Sequence, residues 1–204
     1  MTLKLWYAPG TCATASLIAL EEAGAAYEAV RLDFAKGEQR GEAFVQVNPK
    51  GRVPALDTGR GILTETPAIL TFIGQSFPGA GLLPAEILGF ARLQEFMSFL
   101  ASTVHVSHAH RVRGTRWADD PAVVEGLKAK VAQNMSDHFA YLEDRFGGPW
   151  VLGEAYSVAD PYLFVLAGWL KGDGVDIASF PKIAGHSARM REKPAVARAL
   201  QAAG

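Results

Sequence analysis

The sequence predicts an α/β domain of order βαβαββα with a mixed sheet, followed by an all-α domain built as a helical bundle. Three observations predict it. Strand-like and helix-like patterns alternate through the first part of the chain. A turn-rich break, Phe77-Pro78-Gly79-Ala80-Gly81, closes that stretch. Beyond it, apolar residues recur at helical spacing for the rest of the chain. The domains are therefore set at residues 1–81 and 82–204.

Leu3, Leu5 and Tyr7 alternate with Lys4 and Trp6, a short strand that stops at Pro9-Gly10. Thr11 caps a helix running through Leu17, Ile18 and Leu20 to Gly24. Val30, Leu32 and Phe34 alternate with Arg31 and Asp33 as a second strand, and Phe44 and Val47 mark a short helix between Gly37 and Val47. Val53–Asp57 and Gly61–Thr64 form a hairpin across Thr58-Gly59-Arg60. Pro54 cannot donate to a ladder, so it belongs at an edge, a bulge or a special turn. Thr66 then caps a helix with Pro67 at its first position, leading into Ile69, Leu70, Phe72 and Ile73.

In the second domain, Phe90, Leu93, Met97, Leu100 and Val104 step by three and four along one amphipathic helix, suited either to bundle core or to a subunit interface. Asp120-Pro121 starts another, with Val124, Leu127, Val131, Met135, Phe139, Leu142 and Phe146 on its face, ending at Gly147-Gly148-Pro149. Ser157-Val158-Ala159-Asp160 resembles a capping box before the apolar Tyr162–Leu170 run. Pro181 and Pro194 bracket a further helix, and Ala195–Ala203 form the last.

Composition narrows the function. The 204 residues are 49% hydrophobic and 20% charged, as in ordinary globular proteins. Seven basic and eight acidic side chains lie in the first domain and 13 of each in the second, so neither half has the basic excess that nucleic acid or an anionic membrane would select. The N-terminus reaches Pro9-Gly10 before a signal-peptide apolar region forms, and no segment approaches the roughly 20 apolar residues of a membrane span. The single cysteine, Cys12, excludes an internal disulfide and fits a cytoplasmic setting.

Cys12 gains interest from its address in the first turn of a helix directly after a strand. Free backbone N–H groups and the helix dipole there favour a thiolate, its own or an incoming one. The bland reading is an inert buried thiol. A dithiol motif would need a second cysteine at the position of Ala15, so two-cysteine redox chemistry is excluded. Thr66 with Pro67 offers a second helix N-terminus suited to a carboxylate, with Glu65 beside it for an ammonium; simple capping is the alternative. His105, His108 and His110 resemble a metal cluster but lack a nearby acidic or thiol ligand, so no metal is expected; a solvated histidine is the plainest reading of His105, and a polar role facing a cleft is the functional one. Neither a Gly-rich phosphate loop nor a GxSxG elbow is present.

These residues resemble a known family over essentially the full chain: the cytosolic glutathione transferases, most similar to the bacterial beta class. The resemblance is carried by Leu5-Trp6-Tyr7-Ala8-Pro9-Gly10-Thr11-Cys12, Leu20–Gly24, Val47-Asn48-Pro49-Lys50-Gly51-Arg52-Val53-Pro54-Ala55-Leu56, Leu63–Ile69 and Ser157–Leu163. It implies a thioredoxin-like first domain that binds glutathione. It also implies that Pro54 is a cis-proline leaving the Val53 backbone to pair with the cysteinyl unit of glutathione. Glu65 and Thr66 would take the γ-glutamyl ammonium and carboxylate, Lys36 the glycyl carboxylate, and Ser98 a contact to glutathione across a homodimer. Cys12 and His105 match the class's active-site cysteine and histidine. Ala13 stands where a serine is common, leaving Thr11 or Thr14 to supply a hydroxyl, and Val106 stands where a basic residue is common.

The implied reaction is conjugation of the glutathione thiolate to small hydrophobic electrophiles, held between the domains against Trp6, the helix of Val104, and Trp169. Glutathione is then a co-substrate, with no metal. The alternatives are a glutathione-dependent thiol reductase working through a Cys12 mixed disulfide, and a non-catalytic transferase-like binding protein.

Overall fold

A computed structural model describes residues 2–203. The sheet is mixed, with strand order β2-β1-β3-β4. Strand β1 (Leu3–Tyr7) pairs in parallel with β2 (Tyr27–Arg31) and antiparallel with β3 (Ala55–Asp57), which forms a hairpin with β4 (Ile62–Thr64). Leu3, Leu5 and Tyr7 all point inward, as their alternation requires. Helix α1 (Ala13–Glu22) packs on β1 and against α3 (Thr66–Ser76); the short α2 (Glu42–Val45) follows β2 and buries Phe44.

The second strand differs from the expected one. It covers Tyr27–Arg31, and Leu32 only extends the ladder through one N–H to the Tyr7 carbonyl at 2.8 Å. Asp33 then ends it, because its carboxylate accepts from the N–H groups of Ala35 and Lys36 at 2.9 and 3.2 Å. Phe34 is left exposed.

From Ile87 onward the regular elements are helical. Helix α4 (Ile87–Phe99) passes through a π-turn at Leu100–Val104 into α5 (His105–Arg113). Leu93, Met97, Leu100 and Val104 are fully buried, so this seam is bundle core. The helix expected from Asp120 to Phe146 is two, α6 (Pro121–Ala129) and α7 (Val131–Arg145), broken at Lys130. Helix α8 (Ala159–Ala167) is buried on every side, as its sequence, apolar but for Asp160, requires, and α1 packs against it. Helices α9 (Pro181–Glu192) and α10 (Pro194–Ala203) complete the chain, α10 lying on α1. One continuous core runs from Leu3 to Ala199 across the expected boundary. Among the described residues no helix is long and apolar enough to cross a membrane.

Candidate functional site

Where the sheet-bearing and helical parts meet, a cleft of about 470 Å³ opens between the start of α1, the segment before β3, the start of α3 and one face of α5.

The first wall follows from the turn after β1. Gly10 sits at φ +70°, which reverses the chain at no side-chain cost. Thr11 donates its hydroxyl to the Ala8 carbonyl at 2.7 Å and accepts from the Ala13 N–H at 3.3 Å, so its proton is committed to holding the turn. Cys12 occupies the N-cap of α1 and is buried. Its Sγ donates to the Val53 carbonyl at 3.7 Å. Burial pushes the Cys12 thiol up; the neighbouring Thr66 hydroxyl, the Arg113 charge and the local backbone N–H act in the opposite direction but do not outweigh it. The lowered value that a helix N-terminus alone predicts is therefore not found. Desolvation wins, and Cys12 is a thiol.

The second wall is the Asn48–Pro54 segment. Buried Asn48 donates its side-chain amide to the Arg52 carbonyl at 2.5 Å and accepts from the Lys50 N–H at 3.2 Å. Gly51, at φ +60°, lies where a Cβ would come within 3.0 Å of the Gln39 carbonyl, so the fold requires glycine there. The segment ends in a cis Val53–Pro54 bond. Among the described residues the Val53 N–H has no protein acceptor.

The third wall begins α3. Thr66 is already its first helical residue rather than the cap, and Glu65 holds the cap position at φ +72°. Thr66 is buried with its hydroxyl beside the Cys12 sulfur, while exposed Glu65 pairs with Lys50.

The helical wall carries His105, the first residue of α5. Burial first, then the charges of Arg113, His108, Arg52 and Arg116, push its imidazole down to about 3. His105 is neutral at physiological pH, and its ring centroid lies 5.0 Å from that of Trp169. The Trp169 indole donates to the Gly10 carbonyl at 3.0 Å and stacks on His108 at 4.1 Å. His108 is fixed in turn by Asp173, at 2.8 Å from its Nδ1. Trp169 is thus a strut between the α1 turn and α5.

Thr11, Cys12, Val53, Pro54, Glu65, Thr66, His105 and Trp169 all line this cleft. Lys36 does not: it is paired at 3.5 Å with Asp33 on the turn after β2. Ser98 is exposed on α4 and also lies outside the cleft. Trp6 is turned away, with Lys4 lying 5.4 Å from its ring, and the Tyr7 hydroxyl is bonded to the Ala202 carbonyl at 2.7 Å. Thr14 is buried inside α1, so Thr66 is the hydroxyl beside the sulfur. The residues that sequence reasoning missed are the arginines Arg40, Arg52, Arg113 and Arg116. A signal existed for the last two, since positions 105, 109, 113 and 116 follow helical spacing from His105. Among the described residues no group of three His, Cys, Asp or Glu side chains converges as metal ligands would.

Comparison with known proteins meets the same geometry. The family model described as the glutathione S-transferase N-terminal domain matches residues 1–75. The glutathione S-transferase GstA of Escherichia coli O157:H7 is 31% identical, with 99% of each chain aligned. Among solved structures, a glutathione transferase homolog from Sulfitobacter with bound glutathione is 44% identical, with a TM-score of 0.96 over 98% of both chains. A bacterial beta class glutathione S-transferase from Sphingomonas chungbukensis is 34% identical, with a TM-score of 0.86 over 98% of both. This chain belongs to the glutathione S-transferase family.

Proposed function

We propose that this protein is a cytoplasmic, homodimeric glutathione transferase of the beta class that joins the glutathione thiolate to small hydrophobic electrophiles. Residues 1–81 form the glutathione-binding domain and residues 82–204 the helical one. One observation carries the reading. Two helix N-termini, of α1 and α3, and the Val53 backbone, whose N–H has no protein acceptor among the described residues, face a single cleft.

Each feature suits one part of glutathione. The start of α3 with the Thr66 hydroxyl takes the γ-glutamyl carboxylate, and Glu65 takes the ammonium. The Val53 backbone pairs with the cysteinyl unit as an added strand would. Arg40 and Arg52, on the cleft wall below it, take the glycyl carboxylate. The sulfur then lies at the start of α1, beside Cys12. Exposed Ile87 and Leu88 at the head of α4, with exposed Ile62 on β4, support a second copy as partner, and Ser98 on the same α4 would meet that copy.

A free thiol near pKa 8.5 is only a few per cent ionised at pH 7, and lowering it by about two units raises the thiolate fraction more than tenfold. The N–H groups at the start of α1 supply that stabilisation. His105, being neutral, contributes as a hydrogen-bonding group and not as a cation. Cys12, kept protonated by burial, can donate its S–H to the glutathione sulfur. The same protonation argues against a reductase working through a Cys12 thiolate.

Titration calorimetry with glutathione and the absorbance assay with 1-chloro-2,4-dinitrobenzene test this reading. Expected are saturable heat and formation of the C–S bond with release of chloride. Neither heat nor conjugation at millimolar glutathione would overturn it.

A further inference from the structure

The cleft holds more positive charge than glutathione needs. Arg40, Arg52, Arg113 and Arg116 all line it, and among the described residues none of them forms an ion pair. Among the described residues the one carboxylate lining it, Glu65, is matched by Lys50. Glutathione brings two carboxylates, one ammonium and, when ionised, one thiolate. Binding it therefore cancels half of the four arginine charges.

The surplus has a location. Arg40 and Arg52 lie on the wall assigned to glutathione, whereas Arg113 ends α5 and Arg116 lies in the turn after it. These two share their wall with Val106, Ala109, Val112 and Trp117, the apolar surface open to a second substrate. Val112 and Trp117 are 66% and 47% exposed beside these two cations, so an amphipathic ligand would find apolar surface and positive charge together. Arg113 is half-buried, and burial together with the Arg52 charge disfavours its cationic form; burial and the Arg52, Arg113 and Arg40 charges do the same at Arg116. Like charges that outnumber the acids in a partly dry cleft are costly in the free protein and attract anions. Arginine's planar fork further selects carboxylates.

We propose that the second substrate is an electrophile carrying a carboxylate, which Arg113 and Arg116 hold while its apolar body lies on Val112 and Trp117. This rests on the glutathione transferase reading and names the substrate class of that same site. With a halogenated aromatic acid the step balances simply. The glutathione sulfur forms the C–S bond, and the C–Cl bond breaks with its electron pair leaving as chloride.

The test compares 4-chloro-3,5-dinitrobenzoate with 4-chloro-3,5-dinitrobenzamide, each kcat/KM divided by its uncatalysed rate with glutathione. The wild-type enzyme is expected to favour the benzoate at least tenfold, as for a charge-assisted hydrogen bond. Arg113→Gln and Arg116→Gln together are expected to lower the benzoate-to-benzamide ratio at least tenfold. Any effect of Arg113 on sulfur ionisation is common to both substrates and cancels in that ratio. A wild-type ratio at or below one, or a ratio unmoved by the substitutions, overturns the proposal. Should the variants not fold, inhibition of the wild-type enzyme decides: 3,5-dinitrobenzoate must outcompete 3,5-dinitrobenzamide, and equal inhibition overturns it. Calorimetry with glutathione alone separates the two levels. Saturable heat without benzoate preference sinks only the substrate class, and absence of heat sinks the transferase reading itself.

Discussion

The Sγ of Cys12 lies 3.7 Å from the carbonyl oxygen of Val53 and donates its proton to it. That carbonyl is also the acceptor that the cysteinyl N–H of glutathione needs if it pairs with the Val53 backbone. Binding and the Cys12 hydrogen bond therefore compete, and the freed S–H becomes available to the glutathione sulfur. Cys12→Ala removes the competitor and the donor together. Steady-state kinetics with 1-chloro-2,4-dinitrobenzene should show a glutathione KM that is unchanged or lower, and a kcat reduced by about tenfold, the value of one modest hydrogen bond in the transition state. Undiminished kcat would remove Cys12 from the scheme.

The raised Cys12 value has its own signature. A higher pKa leaves less thiolate at any given pH, and the thiolate is the species that alkylates. Iodoacetamide should label Cys12 at pH 7 more slowly than it labels free glutathione, with the rate climbing only at alkaline pH. Mass spectrometry of the modified chain over time reads this directly. Labelling faster than the free thiol would reverse the sign assigned to the site.

Asp160 carries an unusual share of the helical part's polar satisfaction. Its fully buried carboxylate accepts from the N–H groups of Val151 at 2.8 Å and Ser157 at 2.7 Å, and from the Ser157 hydroxyl at 3.1 Å. It also faces His186 Nε2 at 3.0 Å. Asp160→Ala strands these donors, at about 1–3 kcal/mol for each buried group left unpaired. A loss of about 3–5 kcal/mol is expected, which in urea moves the unfolding midpoint down by roughly 1–3 M. A midpoint within error of wild type would show that the box is dispensable.

How far the sequence led depended on whether a feature was local. The β1 alternation, the hairpin after Pro54 and the Ser157–Asp160 box are written in neighbouring residues, and the structure has all of them. Strand β2 was misplaced because it is an edge, where apolar alternation is weak and the Asp33 turn decides the end. The helix break at Lys130 left the apolar spacing on both sides intact, so periodicity could not reveal it. In the cleft, Cys12, Glu65 and Thr66 stood out by their addresses at turns and helix starts, and Val53 only through the family resemblance. Arg40 and Arg52 were not legible, because they reach the cleft from irregular segments distant in sequence, whereas Arg113 and Arg116 left only the faint signal of helical spacing from His105. Nor was the state of Cys12, since dipole and desolvation oppose each other and only packing sets which is larger.

His105 gives a pH dependence with a defined sign. Its folded value of about 3 lies below the ordinary histidine value near 6.5, so the unfolded chain binds this proton more readily. The stabilisation is complete above about pH 6.5 and is lost as the pH falls toward 3, at up to about 1.4 kcal/mol per unit. His105→Gln keeps a polar side chain but cannot titrate. Urea unfolding at pH 7, 5 and 4 should therefore show a shallower decline for His105→Gln than for wild type. Parallel declines would mean that His105 titrates normally.

Glu65 is the one described residue other than glycine with positive φ, at +72°. A side chain there costs about 1–3 kcal/mol, which its surface pair with Lys50 does not recover, since exposed pairs contribute little. The position is therefore suboptimal for stability and well placed for a ligand, because it aims the carboxylate at the cleft beside Thr66. Two substitutions separate these roles. Glu65→Gly relieves the backbone and removes the carboxylate, so the melting temperature should rise by a few degrees while the glutathione KM rises about tenfold or more. Glu65→Gln keeps the backbone cost, so its KM should rise with no gain in melting temperature. Should the glycine variant melt no higher than the glutamine variant, the strain assigned to Glu65 is absent. Should both bind glutathione as wild type does, the ammonium is held elsewhere.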